Sequence, residues 1–371
     1  MSDAGRVTAM TQTARKTFEL RDFAMPDTPA DGAILKVEAV GICGSDVGYY
    51  LQDPPEPRIL GHENVGRIWS IGPIARKIWG LAEGDRVALE EYVACFNCDW
   101  CRLGEYRFCW RSDVIGNPEV LRYGWTPTTV TPGLWGGYSQ YLYMPYGAVW
   151  HRVPDGMSAE LATLFIAMSN GVQWTGIEGH LRAGQAILIQ GPGQMGAACV
   201  AAARSMGAGT VIVTGLGSDA DRLEICRRLG ADEAIDAESA DVRGRVLELT
   251  AGKGVDVAID ATADSGTGPL HVAIDALKRQ GGHMVVQGRG RVDGFPMDRI
   301  LQKAVTLHVA RGHSYRSVER GLEILKSGRC PLELMHTHNF ALGDAALAID
   351  ATRGELVEGH RGLHAAVLPW S

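Results

Sequence analysis

Apolar and polar positions change rhythm once along this chain, near residue 158. Before that point the alternation has a period of two. In ILKVEAVGICGSD, Leu35, Val37 and Ala39 alternate with Lys36 and Glu38, as in a half-buried strand, and Gly41 then opens a loop carrying Cys43. A second alternation runs from Val65 to Ile71, and AEGDRVAL sets a Gly-Asp turn before a short strand. From residue 90 to about 137 the periodicity dissolves into Cys, Gly, Pro and aromatic residues; an irregular stretch this long is functional or stapled. From Ser158 to residue 177 the spacing predicts one capped helix. Apolar runs at 186–190, 210–215, 255–261 and 283–288 then alternate with the helix-spaced segments GPGQMGAACVAAARSMG, DRLEICRRLGA and PLHVAIDALKRQ. That order predicts a parallel sheet with helices on both faces. A last helix, SVERGLEILKSG, leads into a mixed tail.

Composition narrows the class. The 371 residues are 46% hydrophobic and 21% charged, enough for about two globular domains. Glycine is in excess, 47 where roughly 7% usage gives about 26, without a collagen period, so the surplus serves tight turns and close backbone approaches. The net charge of -7 and the lack of any Lys/Arg block argue against nucleic acid or an acidic membrane surface as the main partner. No run approaches the ~18 apolar residues of a membrane helix, and MSDAGRVTAMTQTARK has no leader-like apolar stretch. The expectation is a cytoplasmic enzyme acting on small molecules. Half of the eight cysteines crowd into fifteen residues, which in a reducing compartment favours metal over disulfides.

Two motifs have chemistry in their spacing. Cys95-x2-Cys98-x2-Cys101-x7-Cys109 can close a tetrahedral Zn²⁺ site with no open position, a structural zinc. Gly191-Pro192-Gly193-Gln194-Met195-Gly196 follows an apolar run and opens an Ala-rich helix. In a dinucleotide fingerprint Gly191 makes the turn, Gly193 admits the pyrophosphate and Gly196 allows close helix packing. At the ribose position stands Gly215 rather than an acid. Ser218 and Arg222 are partners for a 2′-phosphate, while Asp219 or Asp221 could reach a hydroxyl, so NAD and NADP both stay open. Cys43 and His62, nineteen residues apart, mean little by themselves.

GICGSD, GHENVG, GDRV, the four-cysteine lobe, GGYSQY and GPGQMG occur in the order found in the zinc-dependent alcohol dehydrogenases of the medium-chain dehydrogenase/reductase superfamily, which the chain resembles over nearly its whole length. The resemblance implies a GroES-like β-rich catalytic domain at 1–166 and 313–371, with the zinc lobe and its loop at 90–137, and a doubly wound Rossmann domain at 167–312. It implies hydride transfer between an alcohol, aldehyde or ketone and NAD or NADP, in a homodimer or homotetramer. It also implies catalytic zinc on Cys43 and His62, Ser45 as the hydroxyl that takes the substrate proton, Asp46 orienting His62, and Glu63 at or near the metal.

The departures bear on mechanism. Many members take a third zinc ligand from the segment where Ile166 stands, and no Cys, Asp or Glu lies between Ala162 and Trp174. Glu63 then serves as third ligand, or the site binds zinc weakly, or it has lost the metal; the expectation is Glu63, with a salt bridge across the domain, for instance to a buried Arg, as its structural alternative. A metal-depleted reductase and a non-catalytic dinucleotide-binding protein are the rival readings. The relay His of many relatives corresponds to Gly48, leaving water, Tyr49 or Tyr50 to replace it, and His364 stands where many have a Lys or Arg near the pyrophosphate. Trp110, Tyr123, Trp125, Trp135 and Tyr138 either line an apolar pocket or staple their loop. His151, His180, His271 and His308 carry no functional expectation, and Cys199 and Cys226 are packing residues.

Overall fold

The computed structural model describes residues 5–117, 119–262, 266–287, 294–357 and 360–371. The chain divides into two units, Met1–Ile166 with His336–Ser371, and Ala167–Met335.

In the first unit the strand Ala33–Gly41 pairs antiparallel with Glu63–Ile71, with Tyr141–Met144 and with His364–Leu368. Arg86–Val93, Ala148–Arg152 and His336–Ala341 complete this sheet, and Arg6–Ala14 forms a smaller one with Thr17–Ala24 and Arg58–Ile59. The apolar faces pack into one core that includes Leu35, Val37, Ile68, Val87 and Val367. Strand register decides which segments meet. Gly41 lies opposite Glu63 on one side and Ala366 on the other, so three chain segments distant in sequence come together at one glycine.

The second unit has a six-stranded parallel sheet in the order Glu233–Asp236, Thr210–Gly215, Ala186–Gln190, Val257–Asp260, His283–Gln287 and Thr306–Ala310. In chain order within the unit this is 3-2-1-4-5-6, the doubly wound arrangement whose direction reverses beside the first strand. The expected apolar runs form its centre; residue 288, at the end of one of them, lies outside the described residues. Glu233–Asp236 and Thr306–Ala310 were not anticipated, because each is short and flanks the sheet with charged or half-exposed positions.

Two expectations need correction. The return to the first unit comes at His336, not near residue 313. The helix Tyr315–Ser327, capped by Ser314 and closed by left-handed Gly328, stays with the parallel sheet: a Cβ on its Gly321 would lie 3.0 Å from the Ser169 amide nitrogen, so the two backbones touch. The single helix expected after Ser158 is broken into Ala159–Ala162, Phe165–Val172 and a π-helical turn at Gln173–Glu178. Ser158 caps it as expected, accepting from the Leu161 amide at 3.2 Å, but the Thr163 hydroxyl donates to the Glu160 carbonyl at 2.6 Å and competes with the helical ladder. The irregular stretch from residue 90 holds the end of the strand Arg86–Val93 and two short helical turns, Asp99–Arg102 and Tyr106–Phe108. Cys199 and Cys226 are fully buried, as packing residues should be. Among the described residues no helix is long and apolar enough to cross a membrane.

Candidate active site

Cys95, Cys98, Cys101 and Cys109 bring their sulfurs within 4.8 Å of one another, and all four are free thiols. The chain between them folds around the sulfurs. The amides of Asn97 and Cys98 donate to Cys95 Sγ at 3.5 and 3.4 Å, and the Cys95 amide donates to Cys109 Sγ at 3.3 Å. Burial pushes the Cys95 thiol up, but the Asn97 and Cys98 amides outweigh it and bring the group down to about 6, so it is a thiolate at neutral pH. Four converging soft donors, with amides already aimed at sulfur, fit Zn²⁺.

The second cluster is built from the strand ends around Gly41. Cys43 caps the short helix Gly44–Tyr50, His62 immediately precedes the strand Glu63–Ile71, and Glu63 opens it. Cys43 Sγ, a His62 ring nitrogen and a Glu63 oxygen lie within 4.8 Å of one another. Asp46 is fully buried and holds this corner together. Its carboxylate accepts from the Cys43 amide at 3.0 Å and from the Gly61 amide at 3.2 Å, and lies 3.3 Å from His62 Nδ1. A proton on Nδ1 therefore faces a carboxylate, leaving the Nε2 lone pair for the cluster. Ser45 Oγ is 3.3 Å from that Nε2. Burial alone would depress the His62 pKa, but Asp46 and the neighbouring Cys43 sulfur raise it well above its ordinary value. The Cys43 thiol is pushed up, first by burial and then by the Glu63 charge. A cation placed among these groups would relieve both Cys43 penalties.

Glu63 is the most informative residue. It is fully buried, and neither carboxylate oxygen has a hydrogen-bond partner among the described residues. The structural alternative, a salt bridge across the domain, has one counterpart among the ion pairs described, His364 Nε2 at 3.8 Å from Glu63 Oε2, an ion pair only when that ring is protonated; no Arg is among the partners described. His364 is itself fully buried, its Nδ1 3.0 Å from His336 Nδ1, whose other ring nitrogen lies 2.9 Å from Asn339 Oδ1. His364 is thus buried beside Glu63 rather than an exposed strand-edge residue. Gly41 makes this possible: a Cβ there would lie 3.0 Å from His364 Nε2 and 3.1 Å from Glu63 Cβ. A buried carboxylate without a hydrogen bond, beside a thiol and an imidazole, fits a divalent cation, because leaving such a group unmatched is costly. Ile166 is buried and apolar, and residues 163–173 include no Cys, His, Asp or Glu.

Glu91 was missed by sequence reading. Its carboxylate lies 3.7 Å from His62 Nε2 and is held at 2.8 Å by Arg122. Two consecutive glutamates, Glu90 and Glu91, inside the otherwise apolar strand Arg86–Val93 are the signal that could have exposed it; Glu90 pairs with His151 Nε2 at 2.7 Å. The aromatic residues mostly staple. Tyr123 donates to the Tyr143 carbonyl at 2.9 Å, Trp135 to the Val130 carbonyl at 2.8 Å, and Trp125 packs edge-on against Tyr49. Trp110 is exposed. Tyr50 donates to the Lys16 carbonyl and stacks on Phe18, while Tyr49 packs against Arg58. Tyr138 is the exception: fully buried, its hydroxyl unpartnered among the described residues, it is close enough to Asp46, Glu63 and Cys43 to feel their charges.

In the second unit the turn Gly191–Gly196 joins the strand Ala186–Gln190 to the helix Gln194–Ser205. Gly191 has φ +90°, a left-handed conformation that a side chain would strain, and a Cβ on Gly196 would collide with the Gly191 carbonyl. Gly193 caps the helix, with open space where its side chain would be. Open backbone at the N-terminus of a twelve-residue helix fits a pyrophosphate. Met195 Sδ is 3.6 Å from Asn170 Nδ2. At the ribose position, Gly215 packs against Pro192. Beyond it the Leu216 amide donates to Asp219 at 3.1 Å and the Gly217 amide to Glu238 at 2.9 Å, while Gly215 pairs with Asp236 across the sheet. Arg222 lies 3.7 Å from Asp219.

Comparison with known proteins agrees with this geometry. A family model described as alcohol dehydrogenase GroES-like domain matches residues 29–155, and one described as zinc-binding dehydrogenase matches residues 195–327. The chain is 35% identical to a probable alcohol dehydrogenase of Mycobacterium tuberculosis, with 100% of each chain covered. It is 30% identical to a sorbitol dehydrogenase of Bacillus subtilis, with 88% of each covered. An alcohol dehydrogenase structure from Thermotoga maritima shares the fold, with a TM-score of 0.85 over 98% of this chain and 99% of that one at 24% identity.

Proposed function

We propose that this chain, which belongs to the zinc-dependent alcohol dehydrogenases of the medium-chain dehydrogenase/reductase superfamily, interconverts a small alcohol and its carbonyl compound with NAD, using a zinc ion held by Cys43, His62 and Glu63. The observation that supports the metal assignment is the buried Glu63 carboxylate, without a hydrogen-bond partner among the described residues, within 4.8 Å of the other two donors. Zinc in such a site supplies Lewis-acid polarisation of the substrate oxygen, and the nicotinamide ring supplies the hydride chemistry.

The chain's own residues do the rest. Asp46 fixes the tautomer and direction of His62. Ser45, beside His62 Nε2, takes the proton that leaves the alcohol hydroxyl and returns it in the reverse direction. With Gly48 offering no side chain, and Tyr49 and Tyr50 engaged in packing, water carries the proton onward. Glu63 replaces the ligand that Ile166 cannot be, and His364 behind it limits its motion. The Gly191–Gly196 turn, with Gln194 and Met195, holds the pyrophosphate. NAD is favoured over NADP because Asp219, Asp236 and Glu238 surround the Gly215–Gly217 backbone, Arg222 is next to Asp219, and a 2′-phosphate would meet carboxylates.

A homo-oligomer fits the exposed apolar residues at the edge of the parallel sheet, Val309 on its last strand and Leu301 just before it, 79% and 80% accessible. The free thiols fit a reducing, cytoplasmic setting.

The test is steady-state kinetics of the purified chain over a panel of alcohols and polyols with each cofactor. The expected results are turnover with a higher kcat/KM for NAD than for NADP, and a fall in kcat of roughly 100-fold in Ser45→Ala. Cofactor binding without turnover on any alcohol or carbonyl substrate would contradict the reading.

A further inference from the structure

Two of the histidines that look isolated in sequence, His180 and His308, are not isolated in space, and His283 joins them. His180, His283 and His308 lie 103 and 25 residues apart by their numbering, yet each offers a ring nitrogen within 4.8 Å of the others. The sheet register explains part of this. His283 begins the strand His283–Gln287 and His308 is the third residue of Thr306–Ala310; in their parallel pairing Thr306 faces His283 and His308 faces Val285. Residues two apart share a face, so His283 and His308 are diagonal neighbours on one side of the sheet. His180 reaches them from the segment that enters the strand Ala186–Gln190, with a left-handed backbone of φ +54°. Ring centroids are 4.9 Å apart for His180 and His283, 5.7 Å for His180 and His308, and 6.2 Å for His283 and His308.

We infer that these three imidazoles form a divalent transition-metal site in the parallel-sheet unit, separate from both cysteine-containing clusters. One observation besides proximity supports it. His283 Nδ1 and His308 Nε2 are buried and have no hydrogen-bond partner among the described residues, which leaves ring nitrogens without the match that buried polar atoms require. Three nitrogen donors without a carboxylate select Zn²⁺, Ni²⁺ or Cu²⁺ over Mg²⁺ or Ca²⁺ and leave a position for water.

The location fixes the role. His283 starts its strand and His180 precedes the strand Ala186–Gln190, whereas the Gly191–Gly196 turn follows that strand's other end, about 16 Å away for five residues. The metal therefore takes no part in hydride transfer. It ties the last two strands of the sheet to the segment that leads into the first.

The test counts metal. The full chain is equilibrated with micromolar Zn²⁺, freed of excess, and its zinc per chain measured beside His180→Asn and His283→Ala. Asn tolerates the left-handed backbone, and His180 is exposed, so the first variant should fold even if the second does not. One zinc fewer per chain in His180→Asn, with alcohol turnover unchanged, is expected. With Cu²⁺, the parent should show the electron paramagnetic resonance pattern of several nitrogen ligands, weakened in the variant. Equal zinc content and identical Cu²⁺ spectra would overturn the assignment, whatever the state of the cysteine-containing sites.

Discussion

The two cysteine-containing clusters differ in how each is assembled. The four-cysteine lobe draws all its donors from fifteen residues, Cys95 to Cys109, and its own amides point at the sulfurs. The Cys43, His62 and Glu63 cluster is assembled by tertiary structure. It needs the register that sets Gly41 opposite Glu63, the Asp46 carboxylate that ties the Cys43 loop to Gly61 and His62, and the return of the chain at His364. The first is closed by four thiols, so a metal bound there would stabilise the fold. The second offers three protein donors with Ser45 beside them, which under the proposed function would leave a position for substrate. On that proposal, closed geometry built locally serves structure, and open geometry built from distant segments serves chemistry.

That contrast can be broken in two ways. Cys109→Ser should have the larger effect: with one ligand of the closed site lost, the lobe should release its zinc and the apparent Tm should fall by roughly 10 °C or more in a thermal scan. A Tm within about 2 °C of the parent would mean that the lobe does not depend on metal. Asp46→Ala should act more gently on the fold and specifically on the open site, weakening its zinc affinity roughly 10- to 100-fold, as expected for loss of a carboxylate that orients a ligating His. Chelator competition would measure this, and unchanged retention would show that Asp46 serves only the backbone amides it accepts from.

The same contrast explains what could be read from sequence. The cysteine lobe and the Gly191–Gly196 turn were legible because their residues are contiguous and their function depends on spacing. The parallel sheet was legible in its central strands, where burial on both faces gives plain apolar runs, and not at Glu233–Asp236 and Thr306–Ala310, where half-exposed edges dilute the pattern. The break in the helix after Ser158 escaped because apolar spacing does not register the Thr163 hydroxyl, which bonds back to the Glu160 carbonyl at that point. Glu63 could be proposed because it adjoins His62, but its lack of a hydrogen bond is a property of the fold. The meeting of Glu63 with His364 through Gly41, the approach of Glu91 to His62, and the three-histidine cluster depend on strand register, which a one-dimensional pattern does not carry.

The most direct test of the central claim, that Glu63 supplies the ligand Ile166 cannot, is the zinc content of Glu63→Ala beside the parent chain after both are dialysed against a moderate chelator. The account expects one zinc ion per chain fewer in the variant, with the four-cysteine zinc retained and alcohol turnover lost. Equal zinc content in the two proteins, with turnover preserved in Glu63→Ala, would contradict it.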